Sequence, residues 1–333
     1  LEEKPTGEIS AGAGVGSEGS TLAFGVIENN FLGKGIALNS NLRLTTTGVR
    51  GNFDLNNPNY KGSNRSLGIS LESSVTDNLT DYGYKSNKTG FSIESGYEIF
   101  DNFFMNTGVS TYFETLKTDA TASTNLKKQK GNYFDTFFNY TFDYDQRNQK
   151  FQTTNGYRST FSQNIPLISE SYSLKNRYDF TKYIEWLNEN IITLSFFSAS
   201  SNSLNGNNIK LSERLFLPSK KLRGFESGKI GPKDNSDFIG GNYSMAINAS
   251  STLPQVLPSL QNSDFIMFFD AGNIWGVDYD ETIDDDNTIR SSVGIGVNIN
   301  TVIGPLSFSL AQPITKGKND ITETFRFNLG TTF

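Results

Sequence analysis

The chain has 333 residues, a net charge of -6, 13% aromatic residues, and neither cysteine nor histidine. These facts exclude thiol nucleophiles, the usual zinc sites and Ser-His-Asp triads, and the acidic balance argues against nucleic acid as a partner. A mean hydropathy of -0.42, with no run near the ~18–20 apolar residues of a spanning helix, excludes a helical membrane protein, but not a transmembrane β-barrel, whose strands alternate lipid-facing and lumen-facing side chains.

The N-terminal LEEKPTGEIS lacks the apolar core of a signal peptide, so an exported protein with this sequence is expected to be a mature form or a fragment. The first predicted strand, 7–16, is rich in glycine, with Gly7, Gly12, Gly14 and Gly16 followed by Gly19. Glycine packs nothing and adds backbone entropy, which weakens a strand. The strand is therefore either kinked for a close neighbour or is a poorly anchored edge, and an opened edge templates an incoming strand.

Stretches of about ten residues with period-two alternation then recur. They fall near 20–30, 36–46, 49–57, 66–74, 89–99, 103–115, 131–145, 156–165, 171–184, 190–200, 241–253, 263–274, 289–300, 304–312 and 322–333. With the first, that is about sixteen strands, an even number as in single-chain outer-membrane barrels. In 241–253, Tyr243, Met245, Ile247 and Ala249 share one face and Ser244, Asn248 and Ser250 the other. In the last stretch, Phe325, Phe327, Leu329 and Phe333 oppose Arg326, Asn328 and Gly330. The polar face is rich in Ser, Asn and Gly throughout, which fits a closed wall around a wet lumen better than a sandwich with one dry core. The single helical candidate is Tyr183–Asn190, about two turns long.

Connections divide by length. NNFLGKG, LTTTGVRG, NNPNYKGSNR and YEIFDNFF are short; Tyr82–Lys88, Leu116–Lys130, Ser201–Phe238 and Val277–Asn287 are long and polar. Short periplasmic turns and long outer loops are the barrel pattern. The acidic run DYDETIDDDN lacks the glycine and closing glutamate of an EF-hand, so it reads as a solvated outer loop, with weak divalent or lipopolysaccharide contact as the remote alternative and no metal site assigned.

The longest connection is the informative one. It carries Leu215, Phe216, Leu217, Leu222, Phe225 and Ile230, too much apolar surface for a solvated linker. At its centre lies Arg223-Gly224-Phe225, where glycine allows a positive φ and presents a guanidinium and a ring together at a tip. The run SDFIMFFDAGNIWG supplies a carboxylate, Asp270, among apolar neighbours and just before Gly272. Such a carboxylate must be paired or wet. The expected arrangement folds the loop into the lumen, with Arg223 on Asp270.

LSERLFLPSKKLRGFESGKIGPK, IGGN, FFDAGNIWG, GPLSFSLAQP and FRFNLGTTF resemble the barrel domain of the BamA family, insertases of the bacterial outer-membrane β-barrel assembly machinery. The segments TGEISAGAGVGSEG, NNFLGKG and DQRN are similar to that family too, so the likeness spans residues 1–333 as one barrel domain. The resemblance implies an all-β, 16-stranded antiparallel transmembrane barrel in the outer membrane, with a sixth outer loop clamped in the lumen through Arg223, Gly224, Phe225, Asp270 and Gly272. It implies a lateral gate between a first strand marked by Gly7, Gly12, Gly14 and Gly16 and a last strand marked by Phe325, Phe327, Leu329, Gly330 and Phe333. It implies periplasmic domains ahead of residue 1, accessory assembly lipoproteins bound through them, unfolded outer-membrane proteins engaged by their C-terminal strand, and outer-membrane lipid as solvent. No cofactor and no enzymatic chemistry are expected. Two departures stand out: Ser250 takes the place where the family has a second clamping carboxylate, and the loop has no cysteine pair. A related barrel of the two-partner secretion type, passing a polypeptide through its lumen, is the alternative.

Overall fold

The alternation along the chain closes, in a computed structural model, into one barrel of sixteen antiparallel strands. The structure describes residues 6–186, 190–253, 263–279, 283, 285, 287–301 and 304–330. The strands are β1 (Gly7–Gly16), β2 (Gly19–Phe31), β3 (Ile36–Thr45), β4 (Gly48–Asn57), β5 (Arg65–Asn78), β6 (Tyr84–Phe100), β7 (Phe103–Thr118) and β8 (Gly131–Asp145). They continue with β9 (Gly156–Ile168), β10 (Ser173–Glu185), β11 (Ile191–Ser203), β12 (Tyr243–Thr252), β13 (Ser263–Trp275), β14 (Arg290–Thr301), β15 (Gly304–Thr315) and β16 (Phe325–Gly330). Each pairs with its sequence neighbours, and β1 pairs with β16 to close the ring. A tiny hairpin, Lys233–Asp234 with Asp237–Phe238, sits inside the long loop.

Side-chain burial follows the period of two. On β12, Tyr243 and Ile247 face outward and are exposed while Ser244 and Ala246 are buried. On β13, Met267 and Phe269 face outward, and Phe268 and Asp270 face in. Outward apolar side chains recur around the wall (Phe24, Phe53, Leu71, Phe113, Phe134, Ile295). They make the lipid-facing band that a bilayer requires. The buried apolar clusters lie where the long loop meets the wall: Leu217, Leu222, Phe225 and Ile230 pack on Phe197, Ala199, Ala246 and Ile274, and Leu211 and Ile239 pack with Tyr84, Leu116, Ala122 and Leu126.

Several sequence expectations need correction. Tyr84–Lys88, read as loop, forms the start of β6 and pairs with Ser74–Asn78 of β5. These residues lack apolar alternation because the hairpin is held there by its backbone ladder and by the loops packed inside it. Among the described residues the loops contain two short α-helices, α1 (Leu79–Tyr82) and α2 (Thr124–Lys128), the second capped by the Ser123 hydroxyl accepting from Leu126 N. The predicted helix at Tyr183–Asn190 is not one where described: Tyr183–Glu185 end β10, Trp186 N–H donates to Asn190 O at 2.8 Å, and 187–189 lie outside the described residues. The short turn at 46–47 lies on the same rim as the long loops, whereas the longer connection 146–155 lies on the opposite rim. Thr322 and Glu323, read as the start of the last strand, leave the wall to pair with the inward loop, while Thr324 O accepts from Ala311 N of β15 at 2.8 Å.

Candidate functional site: the inward loop and the seam

The loop between β11 and β12, residues 204–242, turns into the barrel. Its tip is fixed by a positive φ of 91° at Gly224. A Cβ there would lie 3.2 Å from Ser292 Cβ and 3.3 Å from Ala311 Cβ, so the backbone rests directly on β14 and β15. On one side of this glycine, Phe225 is buried in the loop–wall cluster. On the other, Arg223 reaches Asp270: Nε donates to Oδ2 and Nη2 to Oδ1, each at 2.7 Å. Its backbone N–H donates to Oδ2 as well, at 3.1 Å. The guanidinium carbon lies 3.4 Å from the centroid of the Phe268 ring. Asp270 is 0% exposed, so its charge is tolerable only because these donors replace water.

Asn248, the register partner of Asp270 across β12 and β13, donates its Nδ2 to Asp270 Oδ1 and to Lys221 O, both at 2.8 Å. The departure expected at Ser250 falls two pairs along the ladder, opposite Phe268. The neutral partner of the carboxylate on β12 is Asn248. Gly272 has its own reason: a Cβ there would come within 2.9 Å of Leu217 Cδ2 and of Met245 O. The loop therefore leans on bare backbone at that point.

Other anchors were not anticipated. Lys210 Nζ, buried, binds Asp135 and lies 3.3 Å from Glu114 Oε2, while Glu213 meets Lys175 at 3.0 Å. Ser171 and Ser173 donate to Glu213 Oε2 at 2.7 and 2.6 Å. Burial alone would raise the Glu213 carboxyl, but Lys175, Lys210 and the two serine hydroxyls outweigh it and hold it at about 2. Arg214 binds Asp278 and donates to Asn242 Oδ1 at 3.0 Å. Arg290 of β14 makes a two-pronged contact with Asp320 at 2.9 and 3.0 Å. The charges interspersed with apolar residues in IKLSERLF are the same kind of signal that Asp270 gave, and it is the signal from which partners for Lys210, Glu213 and Arg214 could have been sought.

The seam is uneven. β1 runs against β2 from Gly7 to Gly16. Against β16 its described ladder is Gly14–Gly16 with Asn328–Gly330. The glycines there have a steric role: a Cβ on Gly330 would sit 2.5 Å from Gly14 Cα, and one on Gly16 would sit 2.8 Å from Phe327 O. Gly7 and Gly12 pair with Glu28 and Ala23 of β2, and Ile9 between them is 84% exposed. On β16, Phe325 stacks on Phe308 of β15 and on Phe327, so the last strand is fastened to its other neighbour by rings. Leu329 faces Val15. Phe333 lies outside the described residues.

The Omp85 superfamily domain matches residues 30–333. The chain belongs to the Omp85 superfamily. It is 24% identical over 341 residues to the outer membrane protein assembly factor BamA of Neorickettsia risticii, an alignment covering 100% of this chain and 46% of that protein. It is 26% identical over 229 residues to the yeast sorting assembly machinery 50 kDa subunit, covering 62% of this chain and 45% of the relative. The chain thus spans about half the length of these curated relatives. Among solved structures, BamA from Haemophilus ducreyi lacking POTRA domains 1–3 superposes with a TM-score of 0.87 at 24% identity, covering all of this chain and 71% of that one. CdiB from Escherichia coli superposes with a TM-score of 0.60 at 12% identity, over 100% of this chain and 64% of that one. As an Omp85 barrel with a lipid-facing apolar band, the protein resides in the outer membrane.

Proposed function

We propose that this barrel folds other β-barrel proteins and inserts them into the bacterial outer membrane through the seam between β1 and β16. The observation that carries the proposal is the contrast between the two neighbours of β1: a ladder over Gly7–Gly16 on the β2 side and one over Gly14–Gly16 on the described β16 side. An edge of unpaired N–H and C=O groups is a template for an added strand. The work is non-covalent. An unfolded substrate docks its C-terminal strand on β1, hairpins add in turn, and closure of the new barrel satisfies every backbone group in lipid. Burial of the substrate's own lipid-facing side chains drives the process, so no nucleotide is needed.

In this reading Arg223, Gly224, Phe225, Asp270 and Gly272 form a clamp that braces the wall while the seam moves. Accessory assembly lipoproteins would bind periplasmic domains ahead of the barrel, and the bilayer itself is the receiving solvent.

The chain has no native cysteine, so Val15→Cys with Leu329→Cys gives a clean crosslink across facing positions. Locking this pair should stop insertion of a reporter barrel into liposomes, and reduction should restore it. Insertion that continues in the crosslinked protein refutes lateral opening. Passage of a polypeptide through the lumen with the seam locked would establish secretion of the two-partner kind instead.

A further inference from the structure

At the rim that carries the long loop, the seam is tied by a side chain that belongs to neither strand. Glu18 sits in the two-residue turn between β1 and β2. One of its carboxylate oxygens, Oε1, accepts from two other parts of the molecule. Arg326 Nη1 of β16 donates to it at 2.8 Å, and Ser219 Oγ of the inward loop donates to it at 2.5 Å. Arg326 is held in place by Glu323, through Nε to Oε2 at 3.0 Å.

The loop and the approach to β16 form one body at this point. Glu323 N–H donates to Gly224 O, Glu226 N–H to Ile321 O, and Ile321 N–H to Lys229 O, each at 3.0 Å. Phe225 bridges Thr322. The tip of the loop is therefore bonded by backbone to the segment that leads into the last strand. On the first-strand side, Ser17 N–H donates to Phe327 O at 3.0 Å and Ser17 Oγ accepts from Phe327 N at 3.2 Å. Glu18 then joins the turn of the first hairpin to both members of the opposing body.

We infer that Glu18 is a latch: it fastens the loop-side end of the seam to the inward loop, so that the seam opens from the other end and the loop senses whether it is shut. The residue positions the gate and touches no substrate. The inference rests on the lateral-opening reading and adds which end is held and by what. An ion pair of this exposure contributes little by itself. Together with the Ser219 bond, its loss should raise the open fraction at this end roughly three- to tenfold.

The test is amide hydrogen exchange of the intact barrel in nanodiscs, read on peptides covering 14–17 and 326–330. Protection of an amide follows the free energy of local opening. Ser219→Ala and Arg326→Gln, both distant in sequence from Ser17, should each speed exchange of the Ser17 peptide about two- to fivefold, and combined about three- to tenfold, and leave the β2–β3 ladder unchanged. Ser219→Thr, which keeps the hydroxyl, should exchange like the parent. If Ser219→Ala and Arg326→Gln both stay within about 1.5-fold of the parent, or if β2–β3 loosens equally, the latch is wrong. Exchange reads the seam whether or not insertion occurs, so this inference and the insertase proposal fail separately. Should Arg326→Gln not fold, Ser219→Ala decides alone.

Discussion

Arg223→Ala is the most demanding test of the clamp. The substitution removes two hydrogen bonds at 2.7 Å and the ring contact with Phe268, leaving Asp270 with the Arg223 amide and the Asn248 amide group. Removing one partner of a buried ion pair costs about 3–5 kcal/mol, because the other charge is stranded. The carboxylate is 0% exposed on its side chain but the arginine is 18% exposed, which places the expected loss near the lower end, about 3 kcal/mol. Arg223→Lys keeps the charge but not the fork that meets both oxygens, and should lose about half as much. The assay is equilibrium urea unfolding in micelles, followed through Trp186 and Trp275 and by gel mobility of the folded form. A double-mutant cycle with Asp270→Ala isolates the pair from the packing of Gly224 and Phe225. A loss below about 1 kcal/mol for Arg223→Ala, or a coupling energy near zero, would refute the reasoning.

Three further outcomes are expected. Asn248→Ala, which removes bonds to Asp270 and Lys221 O, should cost about 1–2 kcal/mol, whereas Ser250→Ala should stay within about 0.5 kcal/mol; equal losses in urea midpoints would move the clamp partner off Asn248. Glu213 has its carboxyl depressed from 4.5 to about 2, so its contribution is complete above pH 4.5 and is lost as pH falls from there towards 2. That contribution is on the order of 3 kcal/mol. Between pH 7 and pH 3 the parent should therefore lose more stability than Glu213→Gln, and parallel declines would exclude the ion cluster as the cause. Gly330→Val would drive a side chain into Gly14; it should abolish oxidative crosslinking of Val15→Cys with Leu329→Cys while the barrel still runs as a folded species, and undiminished crosslinking would show that the seam glycines are not needed for closure.

Much of this molecule is legible in one dimension, because a barrel wall is built from a local rule. Alternation on β12 separated an apolar from a polar face without any knowledge of neighbours, whereas on β13 both faces are apolar and only the structure turned Met267 and Phe269 outward. The lone Asp270 in an apolar strand and the lone Arg-Gly-Phe in a connection implied each other by electrostatics, since neither tolerates isolation. The failures have physical causes as well. Tyr84–Lys88 lacks an apolar face because its partner is a backbone ladder, which leaves no mark on composition. Residues 322 and 323 read as strand, yet their backbone pairs with the tip of the loop, and the wall ladder resumes only at Thr324, whose carbonyl accepts from Ala311 N–H.

The chain alone therefore determined the class of fold and a count of about sixteen strands, and led to the expectation that Arg223 meets Asp270, all of which follow from period, length and the cost of an unpaired charge. Only the tertiary structure decided the remaining ties: Lys210 with Glu114 and Asp135 and Asn248 with Lys221 O on the loop, Arg290 with Asp320 between β14 and the approach to β16, and Glu18 across the seam. Those partners lie in different strands and loops, and which residues meet is set by register and closure of the ring. No local pattern encodes that meeting, because it exists only once the two ends of the sheet have come round to each other.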